Sequence, residues 1–265
     1  MSEKISPHIR QTEERVRKLC EGCADIVIRS MFLGKENRVE CLVVYIEAAV
    51  SNMMLEDSVI GKFLNHLWEM GAGSILETAE ENGLGISDMK ELASMEEAMA
   101  AMLAGNAVLF LDGYDRGLKI GSKGYPGMGV SKADSEKVLR GSREAFSESV
   151  KINTALVRKR LRTTALKVEE HFLGEESNTL LSLVYMENLA YPSLLEEIRQ
   201  RLGQVCIDGI MDSGMVEQLT EDVWYSPFPQ FQTTERPDRA AAALLEGRIL
   251  VLCDNTPVGL LLPTT

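Results

Sequence analysis

Two stretches of this sequence occur twice, and the spacing between copies is nearly the same for both. Leu42-Val43-Val44-Tyr45-Ile46-Glu47 matches Leu183-Val184-Tyr185-Met186-Glu187, which puts Tyr45 and Tyr185 140 residues apart. The run from Met95 to Gly105 matches Pro237 to Gly247, and each copy leads into an apolar run ending in aspartate, Ala107 to Asp112 and Arg248 to Asp254. Gly105 and Gly247 are 142 residues apart, as are Asp112 and Asp254. A long self-similar spacing means that one structural unit is built twice, which excludes most single-core architectures for a chain of 265 residues. The competing reading is that helix–Gly–strand units are common and that two arose without a shared plan.

Each copy has its own physical logic. Ser94 followed by Glu97 forms a capping box in front of an Ala/Met/Leu-rich helix. Pro237 suits the first turn of the second copy, where a missing N–H is harmless. Gly105 and Gly247 stand where a left-handed residue ends a helix. Val108–Leu111 and Ile249–Leu252 are continuously apolar, as strands covered on both faces are. Asp112-Gly113 and Asn255-Thr256 read as turns into second strands at Arg116–Ile120 and Val258–Leu262. Ala24–Phe32 reads as an opening strand, Asp57–Met70 and Tyr191–Leu202 as helices, and Gln204–Ile210 as a strand or a helix continuation. The fold class expected is therefore α/β: two related small lobes, each a mixed sheet flanked by helices.

The expected organisation is an N-terminal tail (1–23), a first lobe (24–120), a Gly-rich linker with a basic connecting helix (121–164) and a second lobe (165–265). Five glycines and Pro126 crowd Gly117–Gly129, which reads as flexible. A helix follows from Ser142 to Thr164, with Phe146, Val150, Asn153, Val157 and Leu161 on one stripe. Ser142 serves as its N-cap, and Arg158, Lys159, Arg160 and Arg162 gather at its end. Arg116–Ala165 holds twelve basic and four acidic residues in a chain whose net charge is −12. This basic connector either complements acidic lobes or offers a surface to anionic lipid headgroups or an acidic partner.

Several function classes drop out. A pI near 4.9 argues against a nucleic-acid partner. Five scattered cysteines read as a reducing compartment rather than a disulfide framework. Nothing resembles a signal peptide, and no run reaches the ~20 apolar residues of a membrane span, so a soluble, intracellular chain is expected. Cys20-Glu21-Gly22-Cys23 has redox or half-zinc spacing, but no second ligand pair exists, and it precedes a strand instead of opening a helix. Ser87-Asp88-Met89-Lys90 fits SxxK without the partner motifs that such hydrolases need. The glycine cluster contains neither a P-loop nor a GxGxxG. No catalytic residue, metal or cofactor is expected.

The second half carries more specific strings. Arg140-Gly141-Ser142-Arg143-Glu144-Ala145-Phe146-Ser147-Glu148 resembles the RGPREGFTE segment of the GerA family of spore germinant receptor A subunits. Asn153 to Arg160 is similar to that family's TN-x-x-LIRRR run. Phe228-Pro229-Gln230, Thr234-Glu235-Arg236-Pro237-Asp238 and Gly247-Arg248-Ile249 resemble its FPQ…TERPD…GRV series in order and spacing, and Asp254-Asn255-Thr256-Pro257 stands where it has DGTP. The likeness covers about residues 140–263. It is weaker over 24–120, where Tyr45-Ile46-Glu47-Ala48-Ala49-Val50 only approximates YIDGLVD.

The resemblance implies a soluble N-terminal domain of a germinant receptor A subunit. It would take part in nutrient sensing and signal transmission without catalysis, alongside B and C subunits, with homo-oligomer formation and contact with anionic inner-membrane lipids as further expectations. It would sit at the spore inner membrane through segments beyond this chain, on the cytoplasmic side. Arg140, Arg143, Glu144, Asn153, Arg158, Lys159, Arg160, Arg162, Glu235, Arg236, Asp238 and Asp254 are the candidate interface or structural-motif residues. The rival readings are a module that binds a small molecule in the cleft between its lobes and an assembly domain that sets oligomeric state.

Overall fold

The computed structural model describes residues 3–33, 38–49, 89–120, 125, 136–221 and 229–264. The expected helix at Asp57–Met70 and most of the Gly-rich linker lie outside these residues. The chain divides into two compact units, Met1–Glu21 with Asp25–Tyr125, and Gly22–Ala24 with Pro126–Thr265.

In the first unit, helix α1 (Ile9–Leu19) is followed by strands β1 (Ile26–Leu33), β2 (Val39–Ile46) and β3 (Met89–Leu92), helix α2 (Met95–Leu103), and strands β4 (Ala107–Leu111) and β5 (Gly117–Ile120). The sheet order is β1-β2-β4-β5-β3. Ser94 caps α2 by accepting from the Glu97 N–H at 3.2 Å, while the Glu97 carboxylate accepts from the Ala93 N–H at 3.0 Å. Helix α1 packs on β2 and β4, and α2 on β2, β4 and β5.

The second unit runs α3 (Val150–Arg158), β6 (Leu166–Leu173), β7 (Thr179–Met186), α4 (Pro192–Gln204), α5 (Ser213–Thr220), β8 (Gln232–Thr234), α6 (Pro237–Leu245), β9 (Ile249–Cys253) and β10 (Gly259–Leu262). Its sheet order, β6-β7-β9-β10-β8, is that of the first sheet. Alternate residues of the central strands face opposite layers. Leu183, Tyr185, Ile249 and Val251 pack with Leu195, Ile198 and Leu202 of α4 and Val216 of α5. Val184, Met186, Leu250 and Leu252 pack with Val157 of α3 and Leu244 of α6.

The repeat extends to the register. Val27 pairs with Tyr45 and Lys167 with Tyr185, so the two tyrosines are equivalent. Cys41 pairs with Leu111 in the first sheet, and Leu181 with Cys253 in the second, the same cross-strand pair with its residues exchanged. Gly105 and Gly247 both end helices with positive φ, +90° and +86°. Two related α/β lobes are present, but every strand pairing is antiparallel, where mixed sheets were expected. The strands joined by a helix, β3 with β4 and β8 with β9, do run parallel to each other. The hairpin strand, β5 or β10, inserts between them, so no parallel pair is hydrogen-bonded.

Three further expectations need correction. The segment expected as an N-terminal tail contains α1, with Ile5, Ile9 and Val16 buried. The connecting helix occupies Val150–Arg158 instead of Ser142–Thr164. Its expected first turns are irregular chain, anchored by the buried Phe146, whose N–H donates to the Glu235 carbonyl at 2.8 Å. Residues Val205–Ile210 form neither strand nor helix. The carbonyls of Ile207 and Asp208 accept from the N–H groups of Glu175 and Glu176 in the β6–β7 turn, so they serve that turn and not a ladder.

Candidate functional site

The recognisable strings of the second half converge on one corner of the second unit. Its centre is Glu136, which sequence reasoning missed. One carboxylate oxygen accepts from the Thr234 hydroxyl at 2.8 Å and from the Glu235 N–H at 2.9 Å, and the other pairs with Arg239. Thr234 is buried, so its hydroxyl needs this acceptor. Next to it, Arg236 grips Asp238 with both arms, at 3.1 and 2.5 Å. Burial pushes Asp238 up, but the Arg236 guanidinium outweighs it and holds the carboxyl below the ordinary range. Pro237 occupies the first turn of α6, so Thr234-Glu235-Arg236-Pro237-Asp238 starts that helix and ties it to the 136–148 segment.

A second carboxylate organises the end of α3. Glu144 accepts from Lys159 at 2.7 Å on one oxygen and from Arg160 at 2.7 Å on the other. Burial raises its pKa, yet these two cations bring it below the usual carboxylate value. Arg160 also donates to the Leu156 carbonyl and to Ser142 Oγ. Arg158 points inward and is fully buried, with Nη1 donating to the Thr163 carbonyl at 2.7 Å. Arg162 is exposed, and its Nε donates to the Lys159 carbonyl. The four cations expected as a surface cluster are therefore divided: one is interior, two are clamped by Glu144, and one is outward. Arg140 and Arg143 are exposed.

The start of α3 is built from distant residues. Asp254, just past β9, accepts from the Val150 N–H at 3.0 Å. Asn153 is fully buried and satisfied by one residue: it accepts from the Ser147 N–H at 2.7 Å and donates to the Ser147 carbonyl at 2.6 Å. The first unit repeats both devices. Asp112 accepts from the Ile9 N–H at 3.0 Å, and Thr12 Oγ1 donates to the Ser6 carbonyl at 3.1 Å. A sequence signal for this existed, since Val16-Arg17-Lys18 recurs as Val157-Arg158-Lys159, 141 residues on.

Another ion network lies on the α4 side of the sheet. Tyr185 donates to Glu169 at 2.7 Å, and Arg199 of α4 reaches both oxygens of Glu169, at 3.0 Å through Nε. Burial raises the Glu169 pKa, but hydrogen bonds from Arg199 and Tyr185 bring it below its ordinary value. Burial and the Glu169 carboxylate together push Tyr185 up. The CxxC pair is occupied structurally: both thiols are buried and free, and Cys23 Sγ donates to the Leu166 carbonyl at 3.4 Å. Among the described residues no His/Cys/Asp/Glu group is placed to hold a metal ion. The corner's charges are engaged with one another and with backbone, an arrangement suited to holding segments in fixed register.

The family model described as "Bacillus/Clostridium GerA spore germination protein" matches residues 14–265. The chain belongs to the GerA spore germination family. It is 30% identical over 259 residues to spore germination protein KA of Bacillus subtilis, covering 98% of this chain and 47% of that one. It is 40% identical over 261 residues to a B. subtilis membrane protein, YfkQ, covering 98% and 50%. The crystal structure of the N-terminal domain of the A subunit of the Bacillus megaterium spore germinant receptor GerK3 superposes with a TM-score of 0.74 at 29% identity, over 100% of this chain and 98% of that one. The fold is thus that of a germinant receptor A-subunit N-terminal domain. The chain spans about half the length of the curated relatives it matches. Among the described residues no helix is long and apolar enough to cross a membrane.

Proposed function

We propose that this chain acts as the N-terminal domain of a spore germinant receptor A subunit, taking part in nutrient sensing and signal transmission without chemistry of its own. The observation that supports this reading best is the coincidence of two facts. The whole chain matches a germinant receptor N-terminal domain, and the strings most like the family build the corner that fastens the 136–160 segment to α6. A lobe fastened in this way moves as a unit, which is what transmission requires. Its partners would be the B and C subunits and other copies of the A subunit. Its place would be the cytoplasmic side of the spore inner membrane, where the exposed Arg140, Arg143 and Arg162 are available to a partner or to anionic headgroups.

The test is a receptor carrying Arg140→Glu and Arg143→Glu, expressed at wild-type level in spores lacking the native subunit. Nutrient-triggered germination should slow at least several-fold, germination by a receptor-independent trigger should be unchanged, and the isolated domain should melt as the wild type does. Normal nutrient germination in spores whose subunit lacks this domain altogether would refute the proposal.

A further inference from the structure

Arg248 begins the run into β9, directly after the left-handed Gly247 that ends α6. Its Nη1 donates to Gln232 Oε1 of β8 at 2.7 Å. Its Nε and Nη2 are shielded from solvent and have no acceptor. The repeat places Asn106 at the equivalent position, after Gly105 and before β4. There Nδ2 donates to the Ala101 carbonyl at 2.9 Å, while Oδ1 is likewise shielded and without a donor. Each lobe thus carries a shielded polar atom with an unused hydrogen bond at one matching point of its fold.

The nearby carboxylates of the corner do not fill the vacancy at Arg248. Glu136 is used by Thr234, Glu235 and Arg239, and Asp238 by Arg236. Glu246 acts on Arg248 only through space, and Arg239 opposes it with like charge. A guanidinium edge without an acceptor is one of the most unfavourable groups to shield from water. Nε–H and Nη2–H point the same way, at the spacing of two carboxylate oxygens. Arg248 is only partly buried as a residue, so this edge lies close to the surface.

We propose that Arg248, held by Gln232, forms a binding site for a small carboxylate at the head of β9. The site takes the anion on its Nε/Nη2 edge, and it does not depend on the germination role. Asn106 gives the first lobe the opposite polarity at this point, so the carboxylate site belongs to the second lobe alone.

The test uses the purified chain and acetate as probe, with chloride at equal ionic strength as reference. Replacing chloride by 100 mM acetate should raise the melting temperature by about 3 °C. Arg248→Met should remove that response and should itself melt no lower than wild type in chloride, because an unpaired charge has been taken out. Arg248→Lys, which keeps the charge but not the fork, should also lose the response, and it serves if the methionine variant does not fold. In nitrogen-15 spectra the Arg248 Nε–H signal should move saturably with acetate. An unmoved signal, or an acetate shift kept in full by both variants, overturns the site.

Discussion

The carboxylates of Asp112 and Asp254 offer a test of the repeat that is energetic as well as geometric. Each accepts one hydrogen bond of 3.0 Å from the N–H that opens a helix, Ile9 in α1 and Val150 in α3. Loss of a capping side chain costs about 0.5–2 kcal/mol, and a negative charge at a helix start adds about 0.3–1 kcal/mol. Truncation to alanine should therefore cost about 1–2 kcal/mol at either site. The two aspartates lie in different units and share no hydrogen-bond partner, so the double variant should be additive within about 0.5 kcal/mol. If the lobes unfold separately in urea, each variant should shift only its own transition. Asparagine keeps an acceptor and loses the charge, so Asp254→Asn should cost less than half of Asp254→Ala. An Asp254→Ala midpoint indistinguishable from wild type, or an asparagine variant as damaging as alanine, would refute the capping role. A large cost at Asp254 with none at Asp112 would break the equivalence of the two helices.

Gly247→Ala should destabilise by about 2 kcal/mol or more, because its φ is +86° and a Cβ would stand 2.7 Å from the Leu189 carbonyl oxygen; Gly105→Ala meets the Tyr125 side chain, which can move, and should cost less by urea titration. Reversing Lys159 and Arg160 to Glu would set three carboxylates together around Glu144 and should destabilise the isolated chain by about 1–3 kcal/mol, unlike reversal of the exposed Arg140 and Arg143. Burial raises the Cys41 and Cys253 thiols to about 12, so native thiol titration should label one cysteine per chain, Cys206, and denatured titration all five. Glu144, Glu169 and Asp238 have folded pKa values below their ordinary ones, so the stability they add is full above pH about 4.3 and is lost as pH falls through the folded values; melting temperature should be flat near neutrality and drop below pH about 4, less steeply in Glu169→Gln.

What could be seen in the sequence was local. The helix–Gly–strand units were legible because capping, helix-ending glycine and apolar runs are short-range signals, and Tyr45 and Tyr185 fixed the offset. The family strings were legible as strings, and so was the pairing of Arg236 with a flanking carboxylate. The start of α3 was misplaced for a reason that local reasoning cannot repair. Ser142 and Glu144 imitate a cap, but the cap is Asp254, 104 residues away, and Glu144 is used by Lys159 and Arg160 instead. Glu136 carried no sign at all, because its partners lie 98 to 103 residues downstream. Helix α1 was overlooked because Ile9 and Val16 are its only buried apolar residues, too sparse for a periodic stripe, although Val16-Arg17-Lys18 marked it as a copy of α3.

The exchanges between the lobes separate what holds the fold from what each lobe does with it. The swapped Cys41–Leu111 and Leu181–Cys253 pairs conserve volume at one point of each core, so the packing constraint falls on the pair and not on either strand. Asp112 with Asp254, and Thr12 with Asn153, keep a function by chemistry that need not be identical. Other positions keep nothing. The residue equivalent to Glu169 is Arg29, an exposed cation in the strand that faces Tyr45, so the first lobe has no counterpart of the Tyr185–Glu169–Arg199 network at that point. Asn106 and Arg248 likewise present opposite polarity from one backbone site. Since the backbone plan tolerates either residue at such points, their identity is free to be set by what each lobe meets in the assembled receptor, and the second lobe, where the charged corner, the Glu169 network and the open Arg248 edge gather, is where partner and ligand variants should first be placed.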